Sequence, residues 1–351
     1  MSVSVLMTCA GGTMMPALFS HLRQDPLIRA RVVGVDVSSD AKGRHYADAF
    51  HLVPFATEAG YAERLADIAR AERVEVILPG SDQEAFCLAA ARETFDKIGV
   101  KVLASPTEVL DLIRDKSATY AALKAAGLRV PEYACVDNAE DLAHALRSFG
   151  YPGKDVIVKP IAGRGGRGMR LLVGKGLAPA AWIGAGAREQ RFEALVDTVE
   201  LREWFDEGKL MVMPVMNAPA YDVDVFAHKG RAKSALVRRR FNPAGIPFTG
   251  NRIVSDPVVM RYCLEIAEAL KLDALHDIDL LTDDQGRPCL LEVNPRPSGS
   301  VVAAHAAGFP IVASAIAETL GISYSISAPE RDIDIGMVPA AMTMVIPAEL
   351  P

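Results

Sequence analysis

The chain has 351 residues, enough for roughly two domains or one elaborate one. With 50% hydrophobic and 23% charged residues, it is not a disordered, collagen-like or disulfide-scaffold protein. A formal charge of −6 provides no global basic field for nucleic acid or an anionic membrane surface, which leaves small-molecule chemistry. The five cysteines, Cys9, Cys87, Cys135, Cys263 and Cys289, have no zinc or redox spacing and read as small buried hydrophobes in a reducing, cytoplasmic compartment. The apolar start, Val3 to Met7, runs into a glycine turn rather than a cleavage site, and Val301 to Leu320 is interrupted by His305, Gly308, Pro310 and Glu318, so neither a leader nor a membrane span is expected.

In chain order, Val3–Met7, Val32–Val37, Val74–Leu78 and Val100–Leu103 are brief β-branched runs separated by stretches with helical spacing, the pattern of a parallel α/β layer. Thr8 to Thr13 forms a strand-to-helix turn in which Gly11 and Gly12 let backbone N–H groups approach a ligand. Asp36 closes the second strand where a ribose-binding acid would sit, but the dinucleotide fingerprint is incomplete, so a plain tight turn and a nicotinamide site are both open. Pro79 to Glu84 lies at the carboxyl edge of the layer. There Ser81, Asp82 and Glu84 are candidates for a substrate amine, with helix capping by Ser81 or Asp82 as the alternative. Asp115-Lys116-Ser117 opens a helix that Gly127 stops, which fits a domain boundary near residue 112. Gly174 to Gly186 reads as an irregular surface connection.

Asp155 to Pro160, a glycine loop and Met169 to Val173 read as strand, loop, strand. The loop fails the Rossmann context because no helix follows it, and it fails the Walker pattern because no Gly-Lys-Ser/Thr is present. Gly163, Gly165, Gly166 and Gly168 form either a hairpin that folds over phosphates, with Lys159 as a point charge, or a solvated hairpin with a surface lysine. Met211 to Met216 lines an adenine slot or fills core. Asp222 and Asp224 alternate onto one strand face. Arg238-Arg239-Arg240 leads into a Pro- and Gly-rich loop, Asn242 to Asn251, and suits phosphoryl or carboxylate recognition or a solvated basic edge.

A two-residue turn at Gln285-Gly286 would set Asp279 opposite Glu292 and Asp277 opposite Asn294. Ile278, Leu280, Leu291 and Val293 would then fill the core from the other face. Three carboxylates on adjacent strands repel unless a cation sits among them, and hard oxygen ligands suit Mg²⁺ completed by substrate phosphates.

These residues together resemble the ATP-grasp superfamily, most closely the carbamoyl-phosphate-synthetase-like carboxylate–amine ligases. The likeness covers nearly the whole chain and rests on Asp115-Lys116, Val158-Lys159-Pro160 with the glycine loop, the Tyr221 to Val225 strand, and Asp279 followed by Glu292-Val293-Asn294-Pro295-Arg296. It implies an α/β, Rossmann-like preATP-grasp domain at 1–112. An ATP-grasp fold of two α+β subdomains follows at 113–327, with a lid at about 130–210 and a tail at 328–351. It further implies ATP phosphates held by Lys116, Lys159 and the glycine loop, and Mg²⁺, or Mn²⁺ in its place, held by Asp279, Glu292 and Asn294. The adenine hinge would be Met213, Pro214 and Val215, with Asp224 beside the nucleotide and Arg296 steadying the transferring phosphoryl group.

Three positions depart from the family pattern. Ala220 stands where a ribose-binding glutamate is usual, which turns attention to Asp222 as its substitute; Met213 replaces a hinge acid; and Asp277 replaces a transition-state arginine, leaving Arg238 or Arg240 to supply that charge. The activity implied is ATP-dependent amide formation between a carboxylate, amino-acid-like by the Ser81, Asp82 and Glu84 hint, and an amine through an acyl phosphate. The rivals are carbamoyl-phosphate-type activation of bicarbonate or carbamate and a nucleotide-binding protein without turnover. Many relatives dimerise through the first domain, which extends the expectation to a homodimer.

Overall fold

Brief β-branched runs covered on both faces form a five-stranded parallel sheet of β1 (Ser4–Met7), β2 (Arg31–Asp36), β3 (Ala49–Leu52), β4 (Val76–Leu78) and β5 (Lys101–Val102), ordered β3-β2-β1-β4-β5. Residues 2–162, 168–174, 188–190, 199–206, 208–240 and 251–336 are described by the computed structural model. Alternation along β1 sends Val5 and Met7 into one core and Leu6 into another on the opposite face. β3 has no counterpart among the expected runs, because its four residues, Ala49 to Leu52, include no β-branched one and are interrupted by His51; it lies at the sheet edge, where Leu52 is exposed.

The helix Lys116–Ala125 starts as expected, with Asp115 accepting from the Ser117 and Ala118 N–H groups at 2.8 and 3.0 Å. Beyond it lies a second five-stranded sheet, β6 (Ala134–Val136), β7 (Val156–Pro160), β8 (Arg170–Leu172), β9 (Arg188–Gln190) and β10 (Leu210–Pro214), ordered β6-β10-β7-β8-β9. β7 and β8 pair antiparallel, as the strand-loop-strand reading requires. Of the loop glycines, Gly163, Gly165 and Gly166 lie outside the described residues, while Gly168 has φ +73° and packs so tightly that a Cβ would lie 2.9 Å from Pro160 Cγ. Cys135 is exposed on the edge strand β6, which corrects the expectation that all five cysteines are buried.

The third sheet, β11 (Asn217–His228), β12 (Arg231–Arg240), β13 (Asn251–Ile253), β14 (Ala274–Thr282), β15 (Pro288–Asn294) and β16 (Ile333–Ile335), is ordered β15-β14-β11-β12-β13-β16. Near its tip the β14–β15 hairpin differs from expectation. Asp283 N–H donates to Arg287 O, and Gly286 has φ +72°, so the turn holds three residues rather than two. A bulge then shifts the register between Asp279 and Leu280, which restores Asp279 opposite Glu292 and Asp277 opposite Asn294. The bulge also exchanges two leucines: Leu290 is fully buried in the core, and Leu291 is only half-buried.

The helices Val302–Ala306 and Ile311–Thr319 pack with the helix Met15–Gln24, one face of the parallel sheet, and Phe226 and Leu236 of the third sheet in a single core, which draws the two ends of the described chain together. None of the described helices is long and apolar enough to cross a membrane. The turns after β1 and β4 also touch: Gly80 N–H donates to Thr8 Oγ1 at 2.9 Å, and a Cβ on Gly80 would lie 2.6 Å from Thr8 O and 2.8 Å from Cys9 Cβ. Gly80→Ala is expected to cost about 1–3 kcal/mol through this overlap. Denaturant unfolding checks it, and an unchanged midpoint would rule the close approach out.

Candidate active site

Antiparallel pairing of β12, β11, β14 and β15 lines up Arg238, Asp222, Asp279 and Glu292 across four strands, with Asp224, Asp277 and Asn294 along the next row. The opposite face carries Val223, Val225, Val237 and Ile278 into the core, so the period of two fixes which side is ionic. This ionic face is not solvated: Asp222 and Asp224 are 1% exposed, Asp277 is 5% exposed and Arg238 is fully buried. It lies beneath the turns at the carboxyl edge of the parallel sheet, where Arg296 donates from Nε to Asp82 Oδ1 at 3.2 Å and from Nη1 to Asp277 Oδ2 at 3.4 Å.

The arginines divide in role. Arg238 donates from Nε to Asp224 Oδ2 at 2.9 Å, from Nη2 to Ser298 Oγ at 2.6 Å and from Nη1 to Ser300 Oγ. Arg240 donates from Nη2 to Asp279 Oδ1 at 2.9 Å and also contacts Asp222. Arg238 is therefore enclosed by partners and out of reach of a transferring group, which corrects its expected catalytic placement; Arg240 stands beside Asp279.

Oxygens of Asp222, Asp277 and Asp279 lie within 4.8 Å of one another. Burial first, then the neighbouring Asp222 charge, pushes Asp277 up to about 7, and burial followed by Asp277 holds Asp279 well above the usual carboxylate range. Burial also raises Asp224 despite Arg238. For Asp222 burial acts in the same sense, but Arg238 and Arg240 outweigh it and hold the group low. A divalent cation fits this face: Asp277 Oδ1 is buried with no hydrogen bond, and Asp279, Glu292 and the Asn294 amide, whose Nδ2 is 3.3 Å from Asp279 Oδ2, offer hard ligands side by side. The tightest carboxylate grouping, however, includes Asp222 and Asp277 rather than Glu292.

Lys116 Nζ lies 3.2 Å from Glu292 Oε2, joining the first turn of its helix to β15. Lys159, opposite Met211 on the second sheet, is pushed down to about 8 by burial and then by the Lys116 charge. Two cavities meet at Glu292 and Asn294. One, of roughly 650 Å³, is lined by Asp82, Phe86, Lys116 and Ala162; the other, of roughly 440 Å³, runs between the ionic face and the turns after β1 and β4.

Other expected residues are placed differently. Ser81 caps the helix Asp82–Ala90 by accepting from Glu84 N–H at 3.4 Å. Glu84 accepts from Thr8 Oγ1 at 2.7 Å, Cys9 Sγ at 3.0 Å and Tyr61 OH at 3.2 Å. Both have structural partners, whereas Asp82 lines the 650 Å³ cavity. Asp36 accepts from Gly11 N–H at 2.7 Å, so the acid at the end of β2 serves the tight turn rather than a ribose. Met211 and Met213 are core, as the alternative reading of the Met run had it, while Pro214 and Val215 line a separate cavity of roughly 310 Å³ with Arg129 and Glu132. Asp224 is shut under Arg238, and Asp222 is bound to Arg240, so neither is open to a ribose beside the buried Ala220. The loop 241–250 lies outside the described residues. Ser298 and Ser300 were not anticipated; the small residues after Asn294-Pro295-Arg296 were the available signal, but their partner is some 60 positions away.

A parallel layer is followed by a mixed sheet, in which β8 and β9 run parallel, and by an antiparallel one, with lysines of the second sheet and its connecting helix brought towards carboxylates of the third; this arrangement resembles the ATP-grasp architecture. Family models agree along the chain: "PylC-like, N-terminal domain" matches residues 6–103, "Carbamoyl-phosphate synthase L chain, ATP binding domain" matches 115–183, and "ATP-grasp in the biosynthetic pathway with Ter operon" matches 206–340. The carbamoyl phosphate synthase large chain of Pyrococcus furiosus is 24% identical over 85% of this chain, and that of Xylella fastidiosa is 28% identical over 68%. The chain spans only 28% and 22% of the lengths of those relatives. Among solved structures, the biotin carboxylase domain of Hydrogenobacter thermophilus 2-oxoglutarate carboxylase superposes with a TM-score of 0.67 at 18% identity, covering 92% of this chain and 71% of that one. An L-amino acid ligase from Bacillus licheniformis gives 0.64 at 13%, covering 91% and 74%. These findings bear out the resemblance to ATP-grasp carboxylate–amine ligases.

Proposed function

We propose that the chain is an ATP-dependent ligase that joins a small-molecule carboxylate to an amine, releasing ADP and phosphate. The supporting observation is the row of buried Asp222 and half-buried Asp279 and Glu292 beside Arg240, Arg296 and Lys116, a face where negative phosphoryl oxygens and a cation can share one site. In this reading Asp279, Glu292 and Asn294 hold Mg²⁺, which supplies charge neutralisation for the phosphates of ATP. Lys116, Lys159 and the glycine loop bind those phosphates, and Pro214 and Val215 flank the base. Residues 1–112, 113–327 and 328–351 serve as the three segments of the enzyme, with 130–210 as its lid, working as a cytoplasmic homodimer.

A carboxylate oxygen attacks the γ-phosphorus, the bond to the β,γ-bridging oxygen breaks, and ADP leaves. Arg240 and Arg296 stabilise the charge that builds on the phosphoryl oxygens. The amine nitrogen then attacks the acyl carbon of the acyl phosphate, the C–O bond breaks, and phosphate departs with the amine proton. Closure over the site keeps water from the acyl phosphate. The test is ADP release from Mg-ATP against a matrix of carboxylic acids and amines, with mass detection of a condensed product. Release with bicarbonate and ammonia alone would move the reading to carboxyphosphate chemistry, which the carbamoyl phosphate synthase relatives favour. Silence throughout would overturn both.

Lys159 supplies a second test. Its ammonium is present below about 8 and lost as pH rises through that value, because burial favours the neutral form. KM for ATP should therefore climb between pH 7 and 9 in the parent enzyme, and Lys159→Arg, whose charge persists, should flatten the climb. An identical pH profile in both would remove Lys159 from phosphate binding.

A further inference from the structure

We propose that the 440 Å³ cavity accepts a carboxylic acid with an uncharged, apolar body and that Met14 and Met15 set this preference. The inference rests on the ligase reading above and specifies its carboxylate class. The cavity has two unlike walls: Arg240, Arg296 and the acid row on one side, and Met14, Met15, Leu18 and Val302 on the other. Unbranched thioethers adapt to irregular apolar groups and offer nothing to an ammonium ion. On the parallel-sheet side the lining carries no carboxylate: its polar side chains are Cys9, whose thiol donates to Glu84, and Thr13, whose hydroxyl accepts from Lys42 at 3.3 Å. Arg296 uses Nε and Nη1 for Asp82, Asp277 and the Pro297 carbonyl, which leaves Nη2 without a partner among the described residues as a donor for a substrate carboxylate.

A second observation is independent of the cavity. Met14 occupies the N-cap of the helix Met15–Gln24 and makes no side-chain capping bond, although Thr13 stands next to it. Ser, Thr, Asp or Asn at that position is worth about 1 kcal/mol. Met14 thus gives the helix start no capping bond, while its side chain stands on the cavity wall. Met15 continues the same wall: its Cε lies 3.2 Å from where a Gly80 Cβ would stand and its Cγ 3.2 Å from that of Gly12, so its thioether is wedged between the two glycine turns.

The experiment is calorimetric titration of the full chain, with Mg²⁺ and a non-hydrolysable ATP analogue, using straight-chain acids from acetate to octanoate and their α-amino counterparts. Affinity should rise about fourfold per methylene, and hexanoate should bind about tenfold or more tightly than 2-aminohexanoate. Met14→Glu should flatten the chain-length series, and Met14→Leu should keep it, with thermal unfolding confirming that both fold. Equal or tighter binding of the amino acids, a flat series in the parent protein, or no binding by any acid would overturn the proposal. ADP release supported only by α-amino acids would sink it while sparing the ligase reading. Hexanoate binding without ADP release under any amine would do the reverse.

Discussion

Glu292→Gln should lower ADP release by about 10²–10³-fold while leaving the protein at least as stable as the parent. The loss follows from removing a charge preorganised for the phosphoryl transfer, a class of change with that typical magnitude. The stability follows from the same geometry. Glu292 stands opposite Asp279 in a face dense in carboxylates, and Gln keeps its shape while taking one negative charge out of that face. The lost partner is Lys116 at 3.2 Å, a lysine with a further role at the adjoining cavity. Opposite movement of turnover and thermal midpoint is what separates a site built for charge from a structural ion pair. Steady-state ADP release and a melting curve on the same preparation decide it; full turnover, or a midpoint lowered by many degrees, would mean that Glu292 works in the fold rather than in the reaction.

The parts of this molecule legible from the sequence are those fixed by local period. β1, β2 and β4 announce themselves because a parallel strand buried on both faces must be apolar throughout, and Asp115 with Gly127 brackets its helix by capping chemistry. The pairing of Asp279 with Glu292 is instructive because the expected turn is wrong by one residue and the bulge compensates by one. The strand faces were readable from alternation, but the turn length and the bulge were not. Residues that meet across the fold carried no such signal. Asp82 and Arg296 are 214 positions apart, and Glu84 meets Thr8 at a distance of 76, so the acids of the β4 turn looked free for a substrate when the fold already uses them. Arg238 and Arg240 look equivalent, on one strand face in a run of three arginines, and only side-chain packing separates them: Arg238 is enclosed by Asp224, Ser298 and Ser300, and Arg240 reaches Asp279.

That separation makes Arg238→Met the most damaging single change expected for stability. The guanidinium is fully enclosed and serves Asp224, Ser298 and Ser300 directly, with Asp222 at 3.6 Å and Asp277 at 3.8 Å. Removing it leaves buried carboxylates without their counter-charge, and breaking a buried pair from one side costs about 3–5 kcal/mol. Replacing both partners is different in kind: Arg238→Met combined with Asp224→Leu removes the stranded charge together with its mate and should recover much of the loss. ADP release should not recover with it. Ser298 and Ser300 follow Arg296 by two and four residues, so Arg238 acts as a positioning residue that anchors the segment presenting Arg296 to Asp277. Unfolding free energies for the parent, both single variants and the double variant, set beside their turnover, test the two claims separately. Strict additivity of the losses would deny the pairing, and restored turnover in the double variant would deny that Arg238 positions Arg296.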